Sequence, residues 1–96
     1  MTAPAPNDRI AILSHKIKEA QIKVARARRT WEAAQSRYLQ MTETEGAPET
    51  FVSAAWVDAS ATYEVWLDAQ GAKAMLVRSL KLLRRQTSTR RGGEPA

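Results

Sequence analysis

Residues 44–49 read TEGAPE and divide the chain into two apolar repeats of the same kind. Gly46 can adopt the left-handed conformation that follows a helix, and Pro48 suits the first turn of the next helix. This segment therefore predicts a tight link between two helices. Because the chain has only 96 residues, we expect one domain with one small core.

The first repeat precedes this link. Apolar or small residues recur at alternating steps of three and four residues, which is the spacing of one face of a helix. These positions are Ile10, Leu13, Ile17, Ala20, Val24, Ala27, Trp31, Ala34, Tyr38 and Met41. Asn7 and Asp8 can cap the start of this helix. The pattern predicts a helix over about 8–43, after a flexible leader over 1–7.

The second repeat has the same spacing on the other side of the link. Its positions are Val52, Ala55, Ala59, Thr62, Trp66, Ala69, Lys73, Leu76, Leu80 and Leu83. The pattern predicts a turn over about 44–48, a helix over about 48–86 and a basic, flexible tail over 87–96. Glycine inside a helix costs about 1 kcal/mol relative to alanine, so a kink or a break near Gly71 is an alternative to the continuous helix that we favour.

Folding the chain at the link pairs residues whose numbers sum to 93, with the fold point midway between Gly46 and Ala47. In this register large residues face small ones. Ala27 is opposite Trp66, Trp31 is opposite Thr62, and Ala34 faces Ala59 at the closest approach of the helices. One layer is poor, because Ala20 faces Lys73, whose ammonium group must reach past the seam to water. The predicted fold is all-α, an antiparallel two-helix hairpin that resembles a coiled coil.

The second helix has more apolar side chains than one partner helix can cover. Trp56, Tyr63 and Val77 lie on one seven-residue row beside the seam and widen its apolar face. We interpret this row as a partner-binding surface. Two occupants are compatible with it, namely a second copy that closes a four-helix bundle, making a homodimer, and a different protein.

Charge is distributed unevenly along the chain, whose net charge is +5. Residues 1–30 carry seven Lys and Arg against two acidic residues, and residues 71–96 carry seven against one. Residues 31–70 carry one Arg against seven acidic residues. A hairpin is therefore predicted to have a basic end at its termini and an acidic end at its turn. The candidate basic patch consists of Lys16, Lys23, Arg26, Arg29, Arg78, Lys81, Arg84 and Arg85.

This polarity has three interpretations. The first is an ordinary solvated helical surface, with the terminal arginines placed favourably near the C-terminal dipole of the second helix. The second is binding to the phosphate backbone of nucleic acid, which requires clustered cations. The third is an acidic protein partner, or the opposite end of a neighbouring copy.

Catalysis finds little support in the sequence. The single histidine, His15, falls on the outer face of the first helix without partners for nucleophilic or acid–base chemistry. No cysteine is present, so no cysteine-based metal site is expected. Glu43, Glu45 and Glu49 straddle the turn, where a plain acidic loop is the preferred interpretation over a metal site. We therefore predict no catalytic residues, cofactor or metal.

No apolar run approaches the roughly 20 residues that span a bilayer, so no membrane span is predicted. The absence of cysteine suits a reducing compartment, and we expect a cytoplasmic protein. The functional hypothesis is a non-catalytic interaction module, such as an adaptor, inhibitor or assembly factor, that docks on a larger macromolecule. The alternative is a nucleic-acid-associated protein that binds phosphates through the basic end.

Overall fold

The chain forms a long hairpin of two helices. The computed structural model describes the backbone of residues 6–93 and the side chains of residues 7–87. Helix α1 spans Pro6–Glu43 and helix α2 spans Glu49–Gly93, and these are the two elements in the described range. The Cα atoms fill a slab of 77 × 27 × 14 Å, as two helices side by side would. The predicted all-α, antiparallel two-helix hairpin is confirmed.

Threonine side chains stabilise the end of α1. The hydroxyl of Thr42 donates to the carbonyl oxygen of Leu39 at 2.8 Å, and that of Thr44 donates to the carbonyl oxygen of Gln40 at 2.7 Å. The last carbonyl groups of a helix have no partner within the helix itself. The Thr44 hydroxyl therefore supplies Gln40, one of the last four carbonyl groups, with a hydrogen bond that a further turn would otherwise provide, and the Thr42 hydroxyl adds a second acceptor contact at Leu39.

The turn is built around Gly46, whose φ of 78° lies in the left-handed region. An L-residue with a side chain would be strained there, which explains the glycine. The carbonyl oxygen of Pro48 then accepts hydrogen bonds from the backbone N–H groups of Phe51 and Val52, at 3.0 and 3.2 Å. Pro48 thus stands immediately before α2, where its missing N–H group is no loss.

The predicted seam is the buried face of both helices. Every seam position from Ile10 to Met41, and every one from Val52 to Leu83, is buried or half-buried. The most buried residue is Ala34, at 1% exposure, which agrees with its predicted place at the closest approach of the helices. No large side chain within the described residues is fully buried, so the hairpin has a thin core.

One predicted detail of the layers is wrong. Trp31 and Trp66 were placed in separate layers, but their rings stack at 5.0 Å with an interplanar angle of 7°. Helical side chains lean toward the N-terminus of their own helix. Because the helices are antiparallel, Trp31 leans toward the open end and Trp66 toward the turn, so the two rings converge in one layer.

Helix α2 is continuous through Gly71, so the alternative of a break there does not occur. The helix also runs past residue 86, where the sequence pattern ended it, and reaches Gly93. No Gly or Pro interrupts residues 72–91, and the Thr87 hydroxyl donates to the Leu83 carbonyl at 2.9 Å. The predicted leader and tail are thus helical at residues 6–7 and 87–93, and their remaining residues lie outside the described range.

Candidate interaction surfaces

The exposed apolar side chains are concentrated on α2. Among the large apolar residues of the described range, α1 exposes three and α2 exposes eight. The three on α1 are Ile12, Ile22 and Leu39. The eight on α2 are Phe51, Trp56, Val57, Tyr63, Val65, Leu67, Met75 and Leu82. A helix that is apolar around most of its circumference is usually covered on more than one side.

All of these α2 residues except Val57 lie on two surfaces, one on each side of the seam. Residues two apart in a helix lie about 200° apart around its axis, so the row of Val77 and the row of Ser79 border opposite sides. We call the first surface the Trp56 flank; its members are Trp56, Tyr63, Leu67, Gln70, Ala74, Val77 and Arg84. We call the second the Phe51 flank; its large apolar members are Phe51, Val65, Met75 and Leu82.

The three residues predicted to bind a partner lie on the Trp56 flank, but in different surroundings. Trp56 is 56% exposed and Tyr63 is 40% exposed. Val77 is half-buried beside the seam. The row is therefore not a uniform apolar strip, because its two aromatic residues project from the half near the turn while Val77 is recessed in the terminal half.

Tyr63 is held by an aromatic cluster inside the hairpin. Its ring centroid lies 5.4 Å from that of Trp31 and 5.9 Å from that of Trp66, and both pairs are tilted. Such tilted and stacked pairs add roughly 0.5–1.5 kcal/mol beyond the area that they bury. The indole N–H of Trp66 is buried without a hydrogen-bond partner in the described part of the chain. The cluster is thus held together by ring packing, and it fixes the orientation of Tyr63.

A groove follows the Trp56 flank in its terminal half. Its volume is about 520 Å³. It is lined by Val24, Gln70, Lys73, Ala74, Val77, Arg78 and Lys81. Val24, Ala74 and Val77 supply the apolar part of its lining. Cationic side chains form the rim, so the groove suits an aromatic or apolar group with acidic neighbours.

The Phe51 flank carries two further grooves. One, of about 300 Å³, is lined by Lys16, Glu19, Ala20, Lys23, Ala69, Ala72 and Leu76. The other, of about 420 Å³, is lined by Arg9, Ile12, Leu13, Ser79, Leu82, Leu83 and Gln86. Both grooves lie between the helices, where the seam side chains of a two-helix hairpin are open to solvent on each side.

The eight residues of the candidate basic patch are all exposed, six of them in the terminal half and Arg26 and Arg29 just past the middle of α1, and they do not share one face. Lys16 and Lys23 line a groove on the Phe51 flank, whereas Arg78 and Lys81 line the groove on the Trp56 flank. Arg26, Arg29, Arg84 and Arg85 occupy other exposed positions of the two helices. The structure therefore surrounds the terminal half with positive charge and does not gather these residues into a single stripe.

The charged pairs along the hairpin lie at its surface. Arg28 donates to Glu32 one turn later at 2.9 Å, and His15 Nε2 lies 3.0 Å from Glu19. Arg37 and Asp58 approach to 3.9 Å across the two helices. Exposed pairs of this kind contribute about 0–1 kcal/mol. The Arg37–Asp58 approach, the one of these three pairs that joins the two helices, is consistent with the register of the hairpin, and all three add little to its stability.

No group of three or more His, Cys, Asp or Glu side chains that could hold a metal ion occurs within the described residues. His15, the single histidine, is exposed, and its partner Glu19 is a surface residue of the same helix. Over the same described range, no helix combines the length and the apolar character needed to cross a membrane.

Sequence reasoning missed the groove on the Trp56 flank. Arg78 and Lys81 were placed in the basic patch and Val77 in the aromatic row, without the inference that they line one concave surface. A signal was present, because Gln70, Ala74, Val77 and Lys81 repeat the four–three–four spacing of a second stripe beside the seam. The alanine in this stripe marks the gap between longer side chains.

Comparison with known proteins gives no family for this chain. No protein-family model matches it, and no match is found among the curated proteins or the solved structures. Function is therefore argued from the two flanks and the charge distribution described above.

Proposed function

We propose that this chain is a non-catalytic helical protein-interaction module that docks on a larger macromolecule. Its binding surface is the apolar surface of α2, beginning with Trp56, Tyr63 and Val77, together with the basic residues of the terminal half. An adaptor, an inhibitor and an assembly factor would all act in this way. The cytoplasmic location expected from the composition belongs to the same proposal.

The observation that carries the proposal is the incomplete burial of α2. Eight large apolar side chains of this helix are exposed in the described range, and they lie on both sides of the seam. Burying apolar surface yields about 25 cal/mol per Å². A monomer that leaves aromatic residues such as Trp56 in water forgoes this gain, whereas a bound partner would recover it.

The basic residues add a second element to the proposed docking. They surround the terminal half, whereas Trp56 and Tyr63 lie toward the turn, so anchoring and charge are separated along the rod. Buried aromatic anchors usually dominate the affinity of protein interfaces. Exposed charges mainly accelerate association and select the orientation of the partner.

Nucleic-acid binding is the second candidate function, and the exposed cations of the terminal half favour it. Seven Lys and Arg in residues 1–30 and seven in residues 71–96 could neutralise phosphates on several sides of the rod. We rank it second because the exposed Trp56 lies near the turn, away from most of these cations, where it would not stack on bases bound at the basic end.

Affinity capture from the native source, with and without nuclease, tests the proposal. The baits are the unmodified chain, Trp56→Glu, Val65→Glu and the double variant Arg84→Glu/Arg85→Glu. Ser36→Glu is the matched control, because Ser36 is exposed on α1 away from both flanks. The proposal expects a protein that is retained after nuclease treatment, retained by the control, and lost with at least one α2 flank variant.

Retention of nucleic acid alone would contradict the proposal, provided that it survives Trp56→Glu and disappears with Arg84→Glu/Arg85→Glu. Salt dependence gives an independent measurement. Binding to phosphates should weaken steeply with salt, and the slope should fall by about one unit for each contact removed.

A further inference from the structure

We propose that the Trp56 flank binds a second copy of this chain in antiparallel orientation, with the aromatic half of each copy seated on the groove of the other. The inference rests on the proposed function and deepens it, because it names the occupant of one of the two flanks. The Phe51 flank then remains outward on both copies for the larger partner. The resulting assembly has two-fold symmetry.

The charges of α2 select the antiparallel orientation. Every acidic residue of the helix precedes Gln70, namely Glu49, Asp58, Glu64 and Asp68. Every basic residue follows Gln70, namely Lys73, Arg78, Lys81, Arg84, Arg85, Arg90 and Arg91. Two antiparallel copies of α2 place the acidic half of each against the basic half of the other, with Glu64 beside the Trp56 flank and Asp58 and Asp68 on the Phe51 side. A parallel pair would place like charges together, which is unfavourable.

The shapes of the two halves are complementary in the same orientation. Trp56 and Tyr63 project from the acidic half of the Trp56 flank, at 56% and 40% exposure. The groove of about 520 Å³ occupies the basic half of the same flank, with Ala74 and Val77 among its lining residues. A protrusion and a groove on one surface are what a two-fold interface requires, since each copy supplies both.

One two-fold axis near Gln70 brings these features into register. Tyr63 and Val77 are both seven residues from Gln70, so Tyr63 of one copy lies opposite Val77 of the other. Leu67 is three residues before Gln70 and Ala74 is four residues after it. Leu67 of one copy therefore lies close to Ala74 of the other, which places a large side chain opposite a small one. Gln70 itself faces Gln70 of the second copy, and an amide can both donate to and accept from its equivalent.

The charged residues fit this register as well. Glu64 and Arg78 are seven residues on either side of Gly71, one residue from the Gln70 centre, so each Glu64 lies within one helical turn of Arg78 of the second copy. Trp56 and Arg84 are both fourteen residues from Gln70, which brings a guanidinium group to an exposed indole ring. Tyr63 is already oriented by Trp31 and Trp66, so seating it requires little additional ordering.

The Phe51 flank lacks this self-complementarity. Its seven-residue row contains Phe51, Val65, Ala72, Ser79 and Gln86. If a second copy packed antiparallel with the two-fold axis at Ala72, Val65 of one copy would face Ser79 of the other. The same centre sets Gln86 against Asp58, so within this row no aromatic side chain is placed opposite an apolar residue. This difference assigns the second copy to the Trp56 flank.

Light scattering and sedimentation at micromolar concentration give the first measurement. We expect a dimer of the unmodified chain, and Trp56→Glu should raise its dissociation constant by about tenfold or more. Val65→Glu is the matched control, because Val65 is similarly exposed at 59% but lies on the Phe51 flank. A monomeric unmodified chain, or equal weakening by both variants, would overturn the proposal.

Charge exchange tests the orientation. Glu64→Arg and Arg78→Glu each place like charges together in the homodimer, so each variant alone should dimerise more weakly. A mixture of the two variants should form the heterodimer preferentially, because both pairs then have opposite charges. Both residues are exposed, so circular dichroism should show an unchanged helix content. An absence of preference for the heterodimer would overturn the antiparallel register.

A single cysteine tests the axis, since the chain contains no cysteine of its own. Gln70→Cys should form a disulfide between copies under mild oxidation, because equivalent residues meet at a two-fold axis. Ala72→Cys, an exposed position on the Phe51 flank, should form it much more slowly. Equal rates would overturn the register.

These outcomes separate this inference from the proposed function. A monomer that still captures a protein through α2 overturns the dimer and leaves the interaction module intact. A dimer with the expected register that captures no protein supports the pairing and contradicts docking on a larger partner.

Discussion

Helices α1 and α2 share one seam but differ in what they expose elsewhere. Helix α1 keeps its apolar side chains almost entirely on the seam, with Ile12, Ile22 and Leu39 as its exposed large apolar residues in the described range. Helix α2 exposes eight such residues, seven of them on its two flanks. A helix that serves only the hairpin needs a single apolar face, so α1 is explained by the fold and α2 is not.

This difference shows that half of the hairpin carries most of the surface available for binding. The seam of α2 stabilises the monomer, and the two flanks beside it stabilise little within the monomer. Substitutions on the seam should therefore change folding, whereas equal substitutions on the flanks should change association. Matched pairs of residues in the same helix can separate these effects.

Leu80 and Leu82 provide the largest expected contrast, since they are two residues apart on α2 but 9% and 51% exposed. Leu80→Ala should lower the free energy of unfolding by about 2–5 kcal/mol, because it leaves a cavity in the seam. Leu82→Ala should lower it by about 1 kcal/mol or less. Urea denaturation at one protein concentration measures both, and equal losses would mean that the Phe51 flank is covered in solution.

Ala33 and Ala34 test whether α1 has a single buried face. Ala34 is 1% exposed, whereas its neighbour Ala33 is exposed. Ala34→Leu should overpack the seam and lower the free energy of unfolding by about 1–3 kcal/mol. Ala33→Leu should change it by no more than about 0.5 kcal/mol. Thermal unfolding of the two variants checks this contrast, which disappears if the register of the helices is different.

Gly46 tests the connection between the two helices. At its φ of 78° any L-residue with a Cβ is strained, so Gly46→Ala should lower the free energy of unfolding by about 1–2 kcal/mol. Gly46→Asn should lower it less, because asparagine tolerates the left-handed region better. Denaturant titration compares the two, and an unchanged stability for the alanine variant would argue against this turn.

Gly71 should respond in the opposite direction and by the smallest amount. It lies inside α2, and a Cβ added there would meet nothing within 4 Å. Gly71→Ala should therefore raise the free energy of unfolding by about 0.5–1 kcal/mol, because alanine loses less conformational freedom in a helix. Calorimetry measures the shift in melting temperature, and a decrease would indicate that another chain approaches closely at this position.

The fold was predictable because its signals are local. The spacing of apolar residues defines a helical face, and the TEGAPE segment defines where the chain reverses. Together these two features predict which residues of the two helices face each other. The continuation of α2 to Gly93 was not predicted, because the end of a regular apolar pattern is a weak signal for the end of a helix.

The candidate site was predictable only in part. The spacing of apolar residues indicated that Trp56 and Tyr63 lie beside the seam and not on it, and both are exposed in the structure. The recessed position of Val77 and the ring contacts of Tyr63 were not predicted, since they depend on how far side chains lean across the partner helix. The distribution of the basic residues over both flanks was not predicted either.

The sequence by itself determined the two helices, the seam and the opposite charges of the two ends, because each follows from spacing or composition along one chain. Only the tertiary structure decided that Trp31 and Trp66 stack in one layer, and that Val24 of α1 closes a groove against Ala74 and Val77 of α2. Such a groove exists only between two helices, at a depth set by the lean and volume of side chains far apart in sequence.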